Sequence, residues 1–162
     1  MRVSISVLPA AACALMLASV PAAAHEEPGQ SAEGPAALHA AEHEEHGSYI
    51  VDQKGMALYL FEADNRGGEG SQAESACRDD CATAWPPFLT EGDPQAHDEL
   101  KGELLGTIER DEGATQVTYN GWPLYRFAAD AEPGHTRGHD IETHGAEWYL
   151  VTPEGEKAGE EH

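Results

Sequence analysis

The sequence predicts an all-β fold of duplicated antiparallel hairpin and meander units, closed into a small sandwich or barrel-like sheet behind a disordered amino-terminal leader. Three observations predict it. Residues Val51 to Asp64 and Val117 to Asp130 follow one fourteen-residue pattern, 66 positions apart, with seven identical residues. Each copy carries a glycine, Gly55 or Gly121, between two apolar runs, which is the mark of a tight hairpin turn. The run after each turn alternates: Tyr59 and Phe61 share one face, as do Tyr125 and Phe127, while Leu60 and Arg126 point the other way.

The elements follow in chain order. Residues 1–24 read as a secretory signal peptide, with Arg2, an apolar Ala-rich run and the small residues Ala22-Ala23-Ala24 before the first charges. Cys13 offers a competing lipoprotein cut, but that would leave an apolar stretch on the mature chain, so the lipid anchor is the less favoured reading. Removing 24 of 162 residues leaves 138, enough for one domain with a modest core and no remaining transmembrane segment.

Residues 25–47 form a His/Glu-rich tract whose one large apolar residue is Leu38, too little to offset chain entropy. It reads as a disordered linker with one candidate helix, Ala36 to Glu45. The folded domain spans 48–155. In its first copy, Tyr49 to Asp52 turns at Gln53-Lys54-Gly55 into Ala57 to Phe61. In the second, Thr115 to Tyr119 turns at Asn120-Gly121 into Leu124 to Phe127, because both turn residues tolerate positive φ. Leu104 to Glu109 precedes it as a third strand, turning at Asp111-Glu112-Gly113, and Trp148 to Thr152 is the last strand. Asn65 to Ser75 is a long loop, Ala82-Thr83-Ala84 a short turn or helix, and Pro94 to Leu100 one helical turn. Residues 156–162 read as a frayed charged tail.

Thirty acidic against nine basic side chains give a net charge of −21. So acidic a surface repels phosphates, which excludes nucleic acid and anionic membrane as partners, and it keeps the chain hydrated. Cys77 and Cys81, exported, are expected to form a disulfide. Their spacing is neither that of thioredoxin-like enzymes nor, without a following His, that of a haem attachment site.

The motifs occur in a particular order. Leu58-Tyr59-Leu60-Phe61-Glu62-Ala63-Asp64 and Leu124-Tyr125-Arg126-Phe127-Ala128-Ala129-Asp130 both fit Tyr-x-(Phe/Trp/Tyr)-x-x-Asp. Cys77-x-x-x-Cys81-Ala82-x-x-Trp85-Pro86-Pro87 follows the first; Pro133-Gly134-x-Thr136-x-Gly138 and Trp148-Tyr149 follow the second. Over about Tyr49 to Gly155 this resembles the bacterial secreted-repeat family, predicted lipoproteins with that motif. The resemblance implies export or lipid anchoring and no particular mechanism. The chain departs from the family pattern in lacking a convincing lipid-attachment signal and in placing His135 where an acidic residue is usual.

No nucleophile elbow, phosphate loop, dinucleotide fingerprint or free reactive cysteine is present, so no catalytic residue is expected. Tyr59, Phe61, Tyr125 and Phe127 are expected in the core, and Asp64 and Asp130 as acceptors of backbone amides in the turns after their strands. His39, His43 and His46 would share one face of a helix and could hold Zn²⁺ or Cu²⁺. His135, His139 and His144 fall in one later loop, and a metal site joining that loop to the linker is a further arrangement. The favoured function is an exported periplasmic, non-enzymatic structural or interaction module, its partner an envelope component or small ligand. The alternative is a periplasmic protein that binds a divalent transition metal through its histidines.

Overall fold

The computed structural model describes residues 34–159. The expected signal peptide, Cys13 and the first part of the leader lie outside the described residues. Ten elements follow: β1 (Ala37–His43), β2 (Gly47–Asp52), β3 (Tyr59–Phe61), α1 (Asp80–Ala84), β4 (Gln95–Ala96), β5 (Leu105–Glu109), β6 (Thr115–Tyr119), β7 (Trp122–Pro123), β8 (Ile141–Thr143) and β9 (Ala146–Leu150). The strands make three small sheets, ordered β2-β1-β4, β3-β9-β8 and β5-β6-β7. The fold is mostly β, as the alternation predicts.

Four expectations need correction. The leader is not linker up to Gly47, and Ala36 to Glu45 is not helix: β1 pairs with β2 from Leu38↔Asp52 to His43↔Gly47. Its single large apolar residue, Leu38, is fully buried beside Ile50 and Leu58, so the neighbouring strand supplies both the ladder and the burial that the segment lacks alone. Pro94 to Leu100 does not form a helical turn throughout; Gln95–Ala96 adds to β1 as a parallel strand, with the amides of Gln95 and His97 donating to the carbonyls of Ala36 and Leu38. An open strand edge beside a proline-fixed backbone favours this outcome. The tail folds back as far as it is described: Ala158 is buried, and its amide donates to the Leu150 carbonyl at 2.9 Å. Finally, the ladder partner of β6 after Asn120-Gly121 is the short β7; Leu124 still donates to the Val117 carbonyl, but the expected strand Leu124 to Phe127 does not form, and the chain from Tyr125 onward runs to a different neighbour.

That neighbour reveals the plan of the molecule. β3, in the first repeat, pairs with β9 at the end of the second, with Phe61 opposite Trp148. Reciprocally, residues 124–128 of the second repeat run beside residues 84–88 at the end of the first. There the amides of Phe88, Arg126 and Ala128 donate to the carbonyls of Leu124, Pro86 and Ala84 at 2.8–2.9 Å. Between these two ribbons, Tyr59 and Tyr125 exchange backbone bonds of 2.8 and 3.0 Å. The repeats are thus related by an approximate two-fold axis through that pair, and each supplies a segment that completes the other.

The matched turn glycines share a left-handed backbone, φ 81° at Gly55 and 82° at Gly121, a conformation that costs glycine little. Gly121 is also crowded. Its carbonyl accepts the Gly67 amide, and a Cβ there would lie 1.9 Å from the Gly67 carbonyl oxygen. Both faces of β3 are buried: Tyr59 and Phe61 enter one cluster with Trp85, Tyr125 and Trp148, while Leu58 and Leu60 enter a second with Leu38, Ile50, Phe88 and Val117.

Candidate functional site

The motif tyrosines and aspartates meet across the two-fold axis. The Tyr59 phenol of the first repeat donates to Asp130 Oδ2 of the second at 2.6 Å, and Tyr125 donates to Asp64 Oδ2 at 2.7 Å. Each carboxylate uses its other oxygen locally, Asp64 Oδ1 accepting the Ala76 amide at 2.7 Å and Asp130 Oδ1 the Arg137 amide at 3.0 Å. The aspartates accept backbone amides, but not in the turns directly after their strands: the partners lie 12 and 7 residues further along the chain, and the phenol half of the arrangement is not visible in one repeat alone. Each phenol oxygen has a second contact, the Gly138 amide for Tyr59 and Ser75 Oγ for Tyr125.

One further side chain, not anticipated from sequence, completes the Asp64 end. Arg110 donates to Ser75 Oγ, to Gln116 Oε1 and to the Cys77 carbonyl at 2.7–2.8 Å. The only sequence signal for it was scarcity: a cation retained in a chain with nine basic and thirty acidic residues. A cross-repeat ion pair, likewise not anticipated, sets Arg126 2.7 Å from the buried Asp52 carboxylate, off the line of a good hydrogen bond. Asp52 spends its other oxygen on the amides of Lys54 and Met56 in the first hairpin turn.

Burial governs the electrostatics. It pushes the Tyr59 and Tyr125 phenols far above their ordinary range, reinforced by the carboxylates they face, so both are permanent donors near neutrality. Burial also raises both aspartates, Asp64 to about 6, against the opposing pull of the Ala76 amide, the Tyr125 phenol and Arg110.

The aromatic rings repeat the same symmetry. Phe61 stacks on Trp148 at 4.0 Å, Trp148 on Trp85 at 3.9 Å, and Trp85 on Phe127 at 4.0 Å, four near-parallel rings in one column. Tyr59 meets Trp85 edge-on and Tyr125 meets Trp148 edge-on, at 5.4 and 5.1 Å. Such contacts add about 0.5–1.5 kcal/mol each beyond the area they bury. Phe127 is the one partly exposed member. The Cys77–Cys81 disulfide closes the turn into α1, and both sulfurs join this cluster.

The histidines do not assemble as a helical face would place them. On a strand, His39 and His43 lie about 13 Å apart. His39 stacks on His97 at 4.7 Å and contacts Asp98. His43 instead stacks on His46 at 4.5 Å across the β1–β2 turn. The later loop splits too. His135 lies 3.7 Å from Glu132, and His144 sits in the β8–β9 turn against Thr143. His139 alone reaches the leader, its ring 4.3 Å from His46. Burial and the neighbouring imidazoles of His46 and His43 lower the His139 pKa, and its Nδ1 accepts the Leu150 amide at 3.1 Å.

Among the described residues no helix is long and apolar enough to cross a membrane. The family described as a secreted repeat of unknown function matches this chain twice, over residues 42–88 and 106–152. The first match ends in the 84–88 segment and the second in the residues after β9, so each contains the segment that it lends to the other. Neither a curated protein nor a solved structure matches the chain.

Proposed function

Because the chain belongs to the secreted-repeat family, with two copies that fill most of its described length, we propose that it is an exported, periplasmic, non-enzymatic module whose interlocked repeats present a rigid surface to an envelope partner or small ligand. One observation carries the reading. The polar groups of both motifs, Tyr59, Asp64, Tyr125 and Asp130, are buried and bonded to one another across the repeat interface. A catalytic acid or base must reach a substrate; these side chains are spent on holding two halves together. Family membership supports export, and the net charge of −21 supports a hydrated surface that avoids nucleic acid.

The test has two parts. Mass spectrometry of the envelope fraction is expected to find a chain starting at His25; a cytosolic chain that retains Met1 to Ala24 would sink the export half. Asp64→Asn, shown by circular dichroism to be folded at the growth temperature, is expected to restore a deletion strain fully. Failure of that folded variant to restore it would assign Asp64 to chemistry and overturn the non-enzymatic half.

A further inference from the structure

The tip of the β1–β2 hairpin brings together three side chains that the interlocked core does not use. One ligand atom each from His43, Glu45 and His46 lies within 4.8 Å of the others. The backbone makes this so: His43 closes β1, β2 begins at Gly47, and the intervening turn sets His43 and His46 side by side. Both imidazoles are half-buried and held in place, His43 edge-on to buried Tyr49 at 6.4 Å and His46 against His139 at 4.3 Å, while Glu45 is exposed.

We infer that this tip binds a divalent transition ion, Cu²⁺ in preference to Zn²⁺, through the imidazoles of His43 and His46 and the carboxylate of Glu45, with the remaining positions taken by water. Two neutral nitrogens and one oxygen suit these borderline ions, whereas Ca²⁺ and Mg²⁺ call for oxygen sets, and Cu²⁺ outranks Zn²⁺ for a given donor set. The acidic field of the chain draws cations to it.

The ring nitrogens discriminate between ligand and bystander. His43 Nδ1 accepts the Glu45 amide at 3.2 Å. Coordination through either nitrogen ends that bond, since the metal takes one lone pair and the ring proton moves to the other nitrogen. The bond is exposed, so water replaces it at little cost. His139 Nδ1 holds the part-buried amide of Leu150 in β9, and coordination would leave that strand amide without its acceptor. His139 therefore stays outside the coordination shell and supports the His46 ring. His39 belongs to the separate pair with His97 and Asp98.

The experiment titrates the full exported chain with CuSO₄ and ZnCl₂ near neutral pH, by calorimetry and by amide NMR. Cu²⁺ is expected to broaden the amides of residues 43–49, and MgCl₂ or CaCl₂ to leave them unchanged. His43→Ala and His46→Ala should each weaken the tip's affinity about tenfold or more, since even supporting residues of a metal site commonly contribute that much. His139→Gln, which removes only the ring packed against His46, should weaken it clearly less than either. Thermal unfolding confirms that each variant keeps its fold. Broadening that survives in the His43→Ala/His46→Ala double variant, or that His139→Gln weakens as much as His43→Ala does, would overturn the assignment.

Discussion

The Tyr59 phenol meets the Asp130 carboxylate at 2.6 Å although 71 residues separate them in the chain, and Tyr125 meets Asp64 at 2.7 Å in the same manner. Each repeat of the motif donates with its tyrosine and accepts with its aspartate, but never to itself. This reciprocity, together with the crossed strands, turns a tandem duplication into one cooperative unit.

Tyr59→Phe and Tyr125→Phe are each expected to destabilise the fold by about 1–3 kcal/mol, the usual penalty for leaving a buried acceptor unsatisfied. Urea unfolding measures it. A double-mutant cycle of Tyr59→Phe with Asp130→Asn should show coupling, while Tyr59→Phe with Asp64→Asn should be closer to additive.

The Asp64 carboxyl makes stability depend on pH. Its folded pKa, about 6, lies above the ordinary 3.8, so the folded chain holds this proton more tightly than the unfolded one. The resulting stabilisation is complete below about pH 4 and is lost as pH rises through about 6. Its size is on the order of 3 kcal/mol. From pH 4 to 7 the unfolding free energy of the wild type should fall relative to that of Asp64→Asn; parallel profiles would refute the shift.

A repeat expressed alone should not fold. A fragment of residues 25–100 keeps β3 but loses β9, and a fragment of residues 101–162 keeps residues 124–128 but loses residues 84–88. Each is expected to lack a cooperative thermal transition by circular dichroism. Mixing the two should restore it, because every missing strand partner is present in the other fragment.

Gly121→Ala is expected to be among the most damaging single-methyl changes in the molecule. The backbone strain at φ 82° costs about 1–3 kcal/mol, and the new Cβ collides with the Gly67 backbone as well. Gly145→Ala supplies the control: φ is 95° there, but a Cβ meets open space. The midpoint of thermal unfolding should fall much further for Gly121→Ala.

What was legible in the sequence is what short-range pattern encodes. Alternation around Tyr59 announced a strand with an aromatic face, and Asn120-Gly121 announced its turn, whereas the same alternation around Tyr125 gives only isolated bridges to Tyr59 and Pro87. That Asp64 and Asp130 accept backbone amides was legible, but not which ones, since Ala76 and Arg137 lie 12 and 7 residues on, beyond the turns after the strands. Choice of partner was not, because a strand's neighbour is fixed by burial far away in the chain: Leu124 to Phe127 looked like the return arm of its own hairpin, but only Leu124 meets Val117 there, and the run beyond it lies against residues 84–88. β1 was hidden by its composition, since Ala37 to His43 has no β-branched or aromatic residue and becomes a strand only between β2 and β4. That misassignment of period also scattered the histidines. A helical spacing would align His39, His43 and His46, whereas the strand separates the first and the turn unites the other two.

The crossing of the two repeats also restricts their history. Duplicated segments are ordinarily free to drift apart once one copy suffices for the original task. Here the tyrosine in either copy answers to the aspartate in the other, and the closing segment of each lies against its sibling's motif. Damage to one half is therefore felt in both, and the pair must be inherited, mutated and tolerated as a single piece.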